Sequence, residues 1–363
     1  MAGQLAAYLN DPFLYRLYDD IKKAGPIKSI SMDLTHVCNI RCQGCWFFAE
    51  EMDLYKSPKD EVLFDVFVEE EKARGTNCIT VTGGEPSLMQ NRIKTLYDNF
   101  HLIIVSNGLR KIPYEGFEQL PIAVSVWGDH ETDRVLRGSG KIDVFARALK
   151  NYKDDPRVMW YNTTTPGNAH EIESVVSQCV ENGNYMFFNF YGDISSLGGN
   201  YNHWDGFEKV RAEIKKMIDL YPERILMTSY MSQVISSGRL YNETWGHDVC
   251  CSVSVDNEKN RGRINNGKLF NPHFRAYNPD LKTTRRCCVG DDRDCSNCFD
   301  TWAHMGWIMI NLEQHLDSQQ EFTNWLTTKY IFYLANRMVD FEAGSRLLPE
   351  IHRRTGQTTP VIT

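Results

Sequence analysis

From about residue 28 to 191 the chain alternates short apolar runs with longer stretches whose apolar residues recur at helical spacing. The short runs are SISMDLT from Ser29, CITVT from Cys78, LIIVSNG from Leu102, IAVSVWG from Ile122, VMWYNTT from Val158 and YMFFNFYG from Tyr185. Their β-branched and aromatic content suits strands buried on both faces. The intervening helical stretches supply the crossovers of βαβ units, so the pattern predicts a parallel sheet. Six such repeats fall short of a closed eight-stranded barrel and predict a partial, TIM-like (β/α)6 barrel of the α/β class.

Between the first two runs, Ser57, Pro58 and Asp60 read as a helix start. Val62, Leu63, Val66, Phe67 and Ala73 read as its apolar face, and Gly75 as its stop. Over 168–182, Ile172, Val175, Val176, Cys179 and Val180 share one side, which makes Cys179 a core residue; Cys78, beside Ile79 in a strand, reads the same way. After Tyr191 the rhythm breaks into GDISSLGGNYNHWDG, a loop or linker composition. A helix carrying Phe207, Val210, Ile214, Met217, Ile218 and Tyr221 follows. Beyond about 245 the chain bears cysteines and looks hairpin-like, with Asn265 to Gly267 as a turn signal. The last helix, about 318–339, is aromatic through Phe322, Trp325, Tyr330 and Tyr333 and is expected to pack on the barrel. The expected division is a helical extension over 1–27, the barrel over 28–205, a helical connector over 206–245, a cysteine-rich module over 246–312, and a helix and tail over 313–363.

Composition changes this picture little: 42% of the 363 residues are hydrophobic and 24% charged. The net charge of −7 argues against a broad polyanion-binding surface, so nucleic acid is not an expected partner. The N-terminus lacks the basic-then-apolar order of a secretory signal, and no run approaches the ~20 apolar residues of a membrane span. A cytoplasmic protein with no transmembrane segment is expected. In that reducing setting eleven cysteines are poor disulfide candidates, and metal binding is the first reading for clustered ones.

The clearest cluster is HVCNIRCQGCWF, where Cys38, Cys42 and Cys45 directly follow the first strand, at the mouth where parallel sheets build their sites. Three thiolates can wrap one iron-sulfur cubane and leave one iron open to a small molecule. A tetrahedral zinc would need a fourth ligand, for which His36 is the adjacent candidate. After the second strand comes TGGEP, in which Gly83 and Gly84 permit close backbone approach and Glu85 offers a carboxylate to an ammonium group.

The CxxxCxxC loop followed one unit later by GGE resembles the signature of the radical S-adenosylmethionine (radical SAM) superfamily, here with Gly44 before the third cysteine and Trp46 and Phe47 after it. The resemblance implies a [4Fe-4S] cluster on Cys38, Cys42 and Cys45, with Gly83, Gly84 and Glu85 at the SAM amino group. It implies further SAM contacts from Ser106, Asn107 and Ser125 at strand ends, from Arg137 (or Arg134) to the SAM carboxylate, and from Asn162 to the ribose. Residues around Phe188 to Tyr191 would bracket the adenine. In this superfamily one electron from the reduced cluster cleaves SAM to methionine and a 5′-deoxyadenosyl radical. A reductase, or a carrier of the flavodoxin or ferredoxin type, is the implied electron donor.

Six further cysteines lie within 49 residues: Cys250, Cys251, Cys287, Cys288, Cys295 and Cys298. Adjacent cysteines seldom point the same way, so one member of each doublet, taken here as Cys251 and Cys288 with the choice left open, joins Cys295 and Cys298 as the expected ligands of a second, auxiliary cluster, with zinc or unligated thiols as the alternatives. The arrangement is similar to the auxiliary-cluster modules called SPASM and twitch domains, and CSNCFDTWAHMG resembles the tail of hopanoid-biosynthesis radical SAM proteins. The expected substrate is a small molecule or lipid; a peptide-modifying maturase and a non-catalytic metal-binding scaffold are the alternatives. Trp127, Asp129, His130, Tyr191 and Asp193 are the candidate substrate-facing residues by their position at strand ends.

Overall fold

The computed structural model describes residues 2–191, 204–237, 252–261, 273–291 and 298–356. All six predicted runs are strands: β1 Ser29–Asp33, β2 Cys78–Thr82, β3 His101–Ser106, β4 Ile122–Val126, β5 Val158–Thr164 and β6 Tyr185–Phe190. They pair in parallel in sequence order. The result is the partial barrel the alternation predicted. Two short strands extend it on the β1 side: β7 Ala276–Tyr277 runs parallel to β1, and β8 Thr284–Arg285 turns back along β7. The chain beyond residue 245 therefore contributes to the barrel sheet itself.

The strand runs look uniformly apolar, but their pleat sorts them by face. Ser31, Asp33, Thr80, Thr82, Val105, Ser125, Tyr161, Thr163 and Asn189 line the interior cavity. Their strand neighbours Ile30, Met32, Ile79, Val81, Val124, Trp160 and Phe188 belong to the hydrophobic core. The first crossover helix, Glu61–Arg74, starts on an Asp60 cap and stops at Gly75, whose φ is +79°. Its buried face is a correction to the sequence reading: Phe64, Phe67, Val68 and Glu71 turn inward, whereas Val62, Leu63 and Val66 are exposed. Glu71 is drawn in by Arg74, Thr76 and Tyr277, so a polar residue with three partners won a place over three unpartnered valine and leucine side chains.

Helix Thr301–Ile310 lies beside β6, where the Thr301 hydroxyl donates to Phe188 O at 3.1 Å. Helix Gln319–Ala335 packs against it and against the N-terminal helix Pro12–Ala24, with Phe322, Trp325, Tyr330 and Tyr333 all buried. Cys78 and Cys179 are buried as expected. Among the described residues no helix is long and apolar enough to cross a membrane.

Candidate functional site

At the C-terminal ends of the strands the chain encloses a cavity of about 300 Å³, lined by Cys38, Cys42 and Cys45 together with Gly83, Gly84, Glu85, Ser106, Asn107, Ser125 and Arg137. The structure thus brings the cysteine loop and the GGE turn to one wall. The two glycines serve the chain as much as any ligand. A Cβ on Gly84 would stand 2.1 Å from Val37 O, and Gly83, at φ +115°, would press on Thr35 O at 2.9 Å. Only a bare backbone fits there, and it donates from Gly84 N to Thr35 O and from Glu85 N to Val37 O, both at 2.9 Å. The GGE turn is therefore the seat of the cysteine loop.

Other parts of the barrel pin the same loop. Asn107 Nδ2 donates to Asn39 Oδ1 at 2.6 Å, Gln43 N donates to Leu136 O at 2.7 Å, and the Tyr191 hydroxyl donates to Gly44 O at 3.3 Å. Gly44 takes φ +65°, which turns the chain into the short helix Trp46–Ala49. His36 Nδ1 faces Ser57, accepting from its N–H at 3.1 Å with the hydroxyl at 2.6 Å. Among the described residues no three His, Cys, Asp or Glu side chains converge tightly enough for a single metal ion.

None of the three loop cysteines is in a disulfide. Burial pushes the Cys38 thiol up to about 12 and Cys45 up to about 11; Cys42 is raised for the same reason, against the pull of the Arg137 guanidinium. Arg137 is itself buried, donating to Asp133 at 3.0 Å and to Ser125 O at 2.5 Å. Glu85 is 1% exposed and held by three donors: Ser87 N at 3.0 Å and the Ser106 hydroxyl at 2.7 Å on one oxygen, Asn107 N at 2.8 Å on the other.

Some expected site residues are elsewhere. Asn162 is buried but does not line the cavity, because the pleat of β5 gives Tyr161 and Thr163 to the interior. By the same alternation β6 presents Asn189, not Phe188 or Phe190, with Tyr191 beyond it. Trp127 and Tyr191 line the cavity with ring centroids 5.5 Å apart. Asp129 and His130 face helices instead, bonded to Ser174 and Gln178 and to Asp143 and Gln178. Arg134 pairs with Glu131. Asp193, Cys250, Cys251 and Cys295 lie outside the described residues. Of the doublet 287 and 288, Cys288 lines the cavity and Cys287 Sγ donates to Gly290 O at 3.2 Å. Cys298 is half-buried two residues before Asp300.

The sequence reading missed the opposite wall. Asp33 at the end of β1 pairs with Arg285 of β8 at 2.5 Å, both buried, and Asp300 and Trp302 come from the start of helix Thr301–Ile310. A carboxylate inside the strand run SISMD was the signal for Asp33. Nothing in TTRRCC separates Arg285 from Arg286.

No protein-family model matches the chain. It is 33% identical over 89 residues to a probable GTP 3′,8-cyclase of Saccharolobus islandicus (strain M.14.25 / Kamchatka #1), covering 24% of this chain and 25% of that protein. It is 25% identical over 205 residues to the sporulation killing factor maturation protein SkfB of Bacillus subtilis (strain 168), covering 53% of this chain and 48% of the other. These relatives agree with the likeness to the radical SAM superfamily that the cysteine loop and the GGE turn carry. The chain spans about a quarter of the length of the first curated relatives it matches. In structure the chain is similar to native anSMEcpe with bound AdoMet and a Cp18Cys peptide (TM-score 0.49, 14% identity, 89% of this chain, 100% of that one). A second likeness is to Streptococcus suis SuiB bound to S-adenosylmethionine (TM-score 0.43, 14% identity, 60% of this chain, 56% of that one).

The cofactors of a radical SAM enzyme are a [4Fe-4S] cluster and S-adenosylmethionine, and the donor set here fits them. The three loop thiols share the cavity with Cys288, a cradled carboxylate and a buried guanidinium, and the loop itself provides no fourth thiol.

Proposed function

We propose that Cys38, Cys42 and Cys45 hold the [4Fe-4S] cluster and that the GGE turn and Arg137 hold SAM against it, for radical chemistry on a substrate in the same cavity. The observation that carries this reading is the joint cavity of the cysteine loop, Glu85 and Arg137. When bound, the reduced cluster supplies the electron that cleaves SAM to methionine and a 5′-deoxyadenosyl radical. The chain's own residues orient and exclude. Glu85, fixed by Ser106 and Asn107, meets the amino group of SAM, and the buried Arg137 charge stands on the carboxylate side. Ser106 and Ser125 are further polar contacts, and the ribose contact passes from Asn162 to Thr163 and Asn189, which line the cavity. Trp46, Phe47, Trp127 and Tyr191 keep water from the reacting atoms. The electron comes from a reductase or a carrier of the flavodoxin or ferredoxin type.

The substrate in this reading is a small molecule or a lipid end group, held beside the cofactors by the aromatic side chains Trp127, Tyr191 and Trp302. The relation to SkfB favours peptide maturation as a second reading. Cys288 at the cavity and the nearby Cys298 support an auxiliary cluster completed by Cys251 and Cys295. The test is anaerobic reconstitution with iron and sulfide, then dithionite and SAM. Release of 5′-deoxyadenosine or an adenosylated product is expected, and intact SAM in protein that has taken up iron would refute the reading.

A further inference from the structure

Four buried polar side-chain atoms without a hydrogen-bond partner lie on residues lining this cavity: Trp46 Nε1, the Tyr161 hydroxyl, Arg285 Nε and Trp302 Nε1. Trp46 directly follows Cys45 and belongs to the cofactor end. The other three come from β5, β8 and helix Thr301–Ile310, which build a separate wall. A buried donor left unmet costs ~1–3 kcal/mol, and native folds hold few of them. Among the described residues these atoms of one cavity wall have no acceptor, and a bound ligand would supply one.

Their chemistry narrows what that acceptor is. Indole Nε1–H and guanidinium Nε–H donate and never accept, so the missing group must bring lone pairs. It need not bring charge. Both Nη atoms of Arg285 already meet Asp33, at 2.5 and 3.4 Å, so the cation on this wall is matched. Asp300 lines the same cavity with a half-buried carboxyl that desolvation pushes up to about 6. An incoming carboxylate or phosphate would therefore face the Asp300 carboxyl and find no unmatched cation among Tyr161, Arg285 and Trp302. A neutral carbonyl oxygen satisfies the donors without that repulsion. Phe187 stacks on Trp302 at 4.9 Å and on Tyr161 at 5.7 Å, which fixes the direction of both polar edges. Thr301 directs its own proton to Phe188 O, and its oxygen, beside Tyr161, keeps lone pairs for the phenol, so Arg285 Nε and Trp302 Nε1 carry most of the demand for an outside acceptor.

We propose that Tyr161, Arg285 and Trp302 form a substrate-recognition wall that selects an uncharged ligand through amide or lactam carbonyl oxygens. The proposal rests on the SAM reading only in assigning the cysteine end of the cavity to the cofactor.

The test uses the anaerobically reconstituted full chain and two small probes of similar size. One is the neutral diamide cyclo(Gly-Gly), the other the dianion succinate, and SAM binding is measured on the same samples by equilibrium dialysis. The diamide is expected to bind about tenfold or more tighter than succinate, with W302F and Y161F each weakening it about fivefold. Both substitutions keep an aromatic ring, and retained SAM binding shows that the variants are folded. The proposal is overturned if succinate binds as well as the diamide, if neither variant changes diamide affinity, or if the diamide does not bind while SAM does. Diamide binding with the expected variant pattern but without SAM binding would support this wall and overturn the cofactor reading instead.

Discussion

Glu85 and Arg285 line the same cavity, and the chain treats them in opposite ways. Glu85 has three donors from neighbouring backbone and side chains, and the loop it supports is tied down by Asn107, Leu136 and Tyr191. Arg285 has its charge matched by Asp33, but its Nε and the Trp302 Nε1 find no acceptor among the described residues. The first region is pre-organised and needs only its cofactors. The second is incomplete until a ligand arrives, which is where a shared fold is expected to differ from one substrate to the next.

The comparison is broken most severely by removing the first region's chemistry. Replacing Cys38, Cys42 and Cys45 together by Ala should abolish SAM cleavage and remove about four irons per chain if an auxiliary cluster is present, or nearly all iron if it is not. Iron analysis with 5′-deoxyadenosine measurement reads both. Retained cleavage would mean that the loop does not hold the cluster.

Gly84→Ala tests whether the GGE turn is the loop's seat. Its Cβ would meet Val37 O at 2.1 Å, where backbone faces backbone and no rotamer gives relief. A loss of about 3 kcal/mol in stability, with poor iron loading, is expected. Gly3→Ala, with nothing within 4 Å of the new methyl, should do neither. Equal effects from the two would remove the argument from contact.

The opposite wall is sharpened by Arg285→Met. That change strands the buried Asp33 carboxylate and should cost about 3–5 kcal/mol in denaturant unfolding. The double variant D33N/R285M should recover part of the loss, because no buried charge is then left unpaired. Strict additivity would show that the pair is not coupled.

Within the first region, Ser106→Ala removes one of Glu85's three donors. About fivefold weaker SAM binding with little change in stability is expected, since the other two donors still position the carboxylate. A large unfolding penalty would instead make Ser106 a structural residue.

Much of the cofactor region is legible from sequence because it is local. Cys38 to Cys45 and Gly83 to Glu85 sit on consecutive βα units, and strand order carries them to one mouth. The second wall is hidden because it joins β5 to β8 and helix Thr301–Ile310, which lie more than a hundred residues further along the chain. Asn162 illustrates a subtler failure. The run VMWYNTT has no polar alternation to mark its phase, and a one-residue error in phase exchanges the faces of a strand. The Val62, Leu63 and Val66 face of the first crossover helix fails for a related reason: partners of Glu71 that are distant in sequence, such as Tyr277, set which side is buried.

His352 tests whether an unmet buried atom always implies a ligand. His352 Nδ1 is also buried without a partner, but it lies away from the cavity, and its Nε2–H donates to Ile225 O at 2.9 Å. Burial holds this imidazole down at about 4, so the folded chain keeps it neutral while the unfolded chain takes up a proton near the ordinary 6.5. The unfolded state then binds more protons between those two values, and stability is lost as pH falls from about 6.5 towards 4, by up to about 3 kcal/mol. Above 6.5 the group contributes no slope. Denaturant midpoints from pH 7.5 to 4.5 should therefore fall less steeply for His352→Gln, which keeps a donor for Ile225 and cannot be charged. No ligand should alter that difference, whereas cyclo(Gly-Gly) should stabilise the chain only when Tyr161 and Trp302 are intact. If the diamide changed the His352 slope as much as it stabilised the cavity wall, the unmet donors on that wall would be ordinary slack in the fold, and the contrast with Glu85 would disappear.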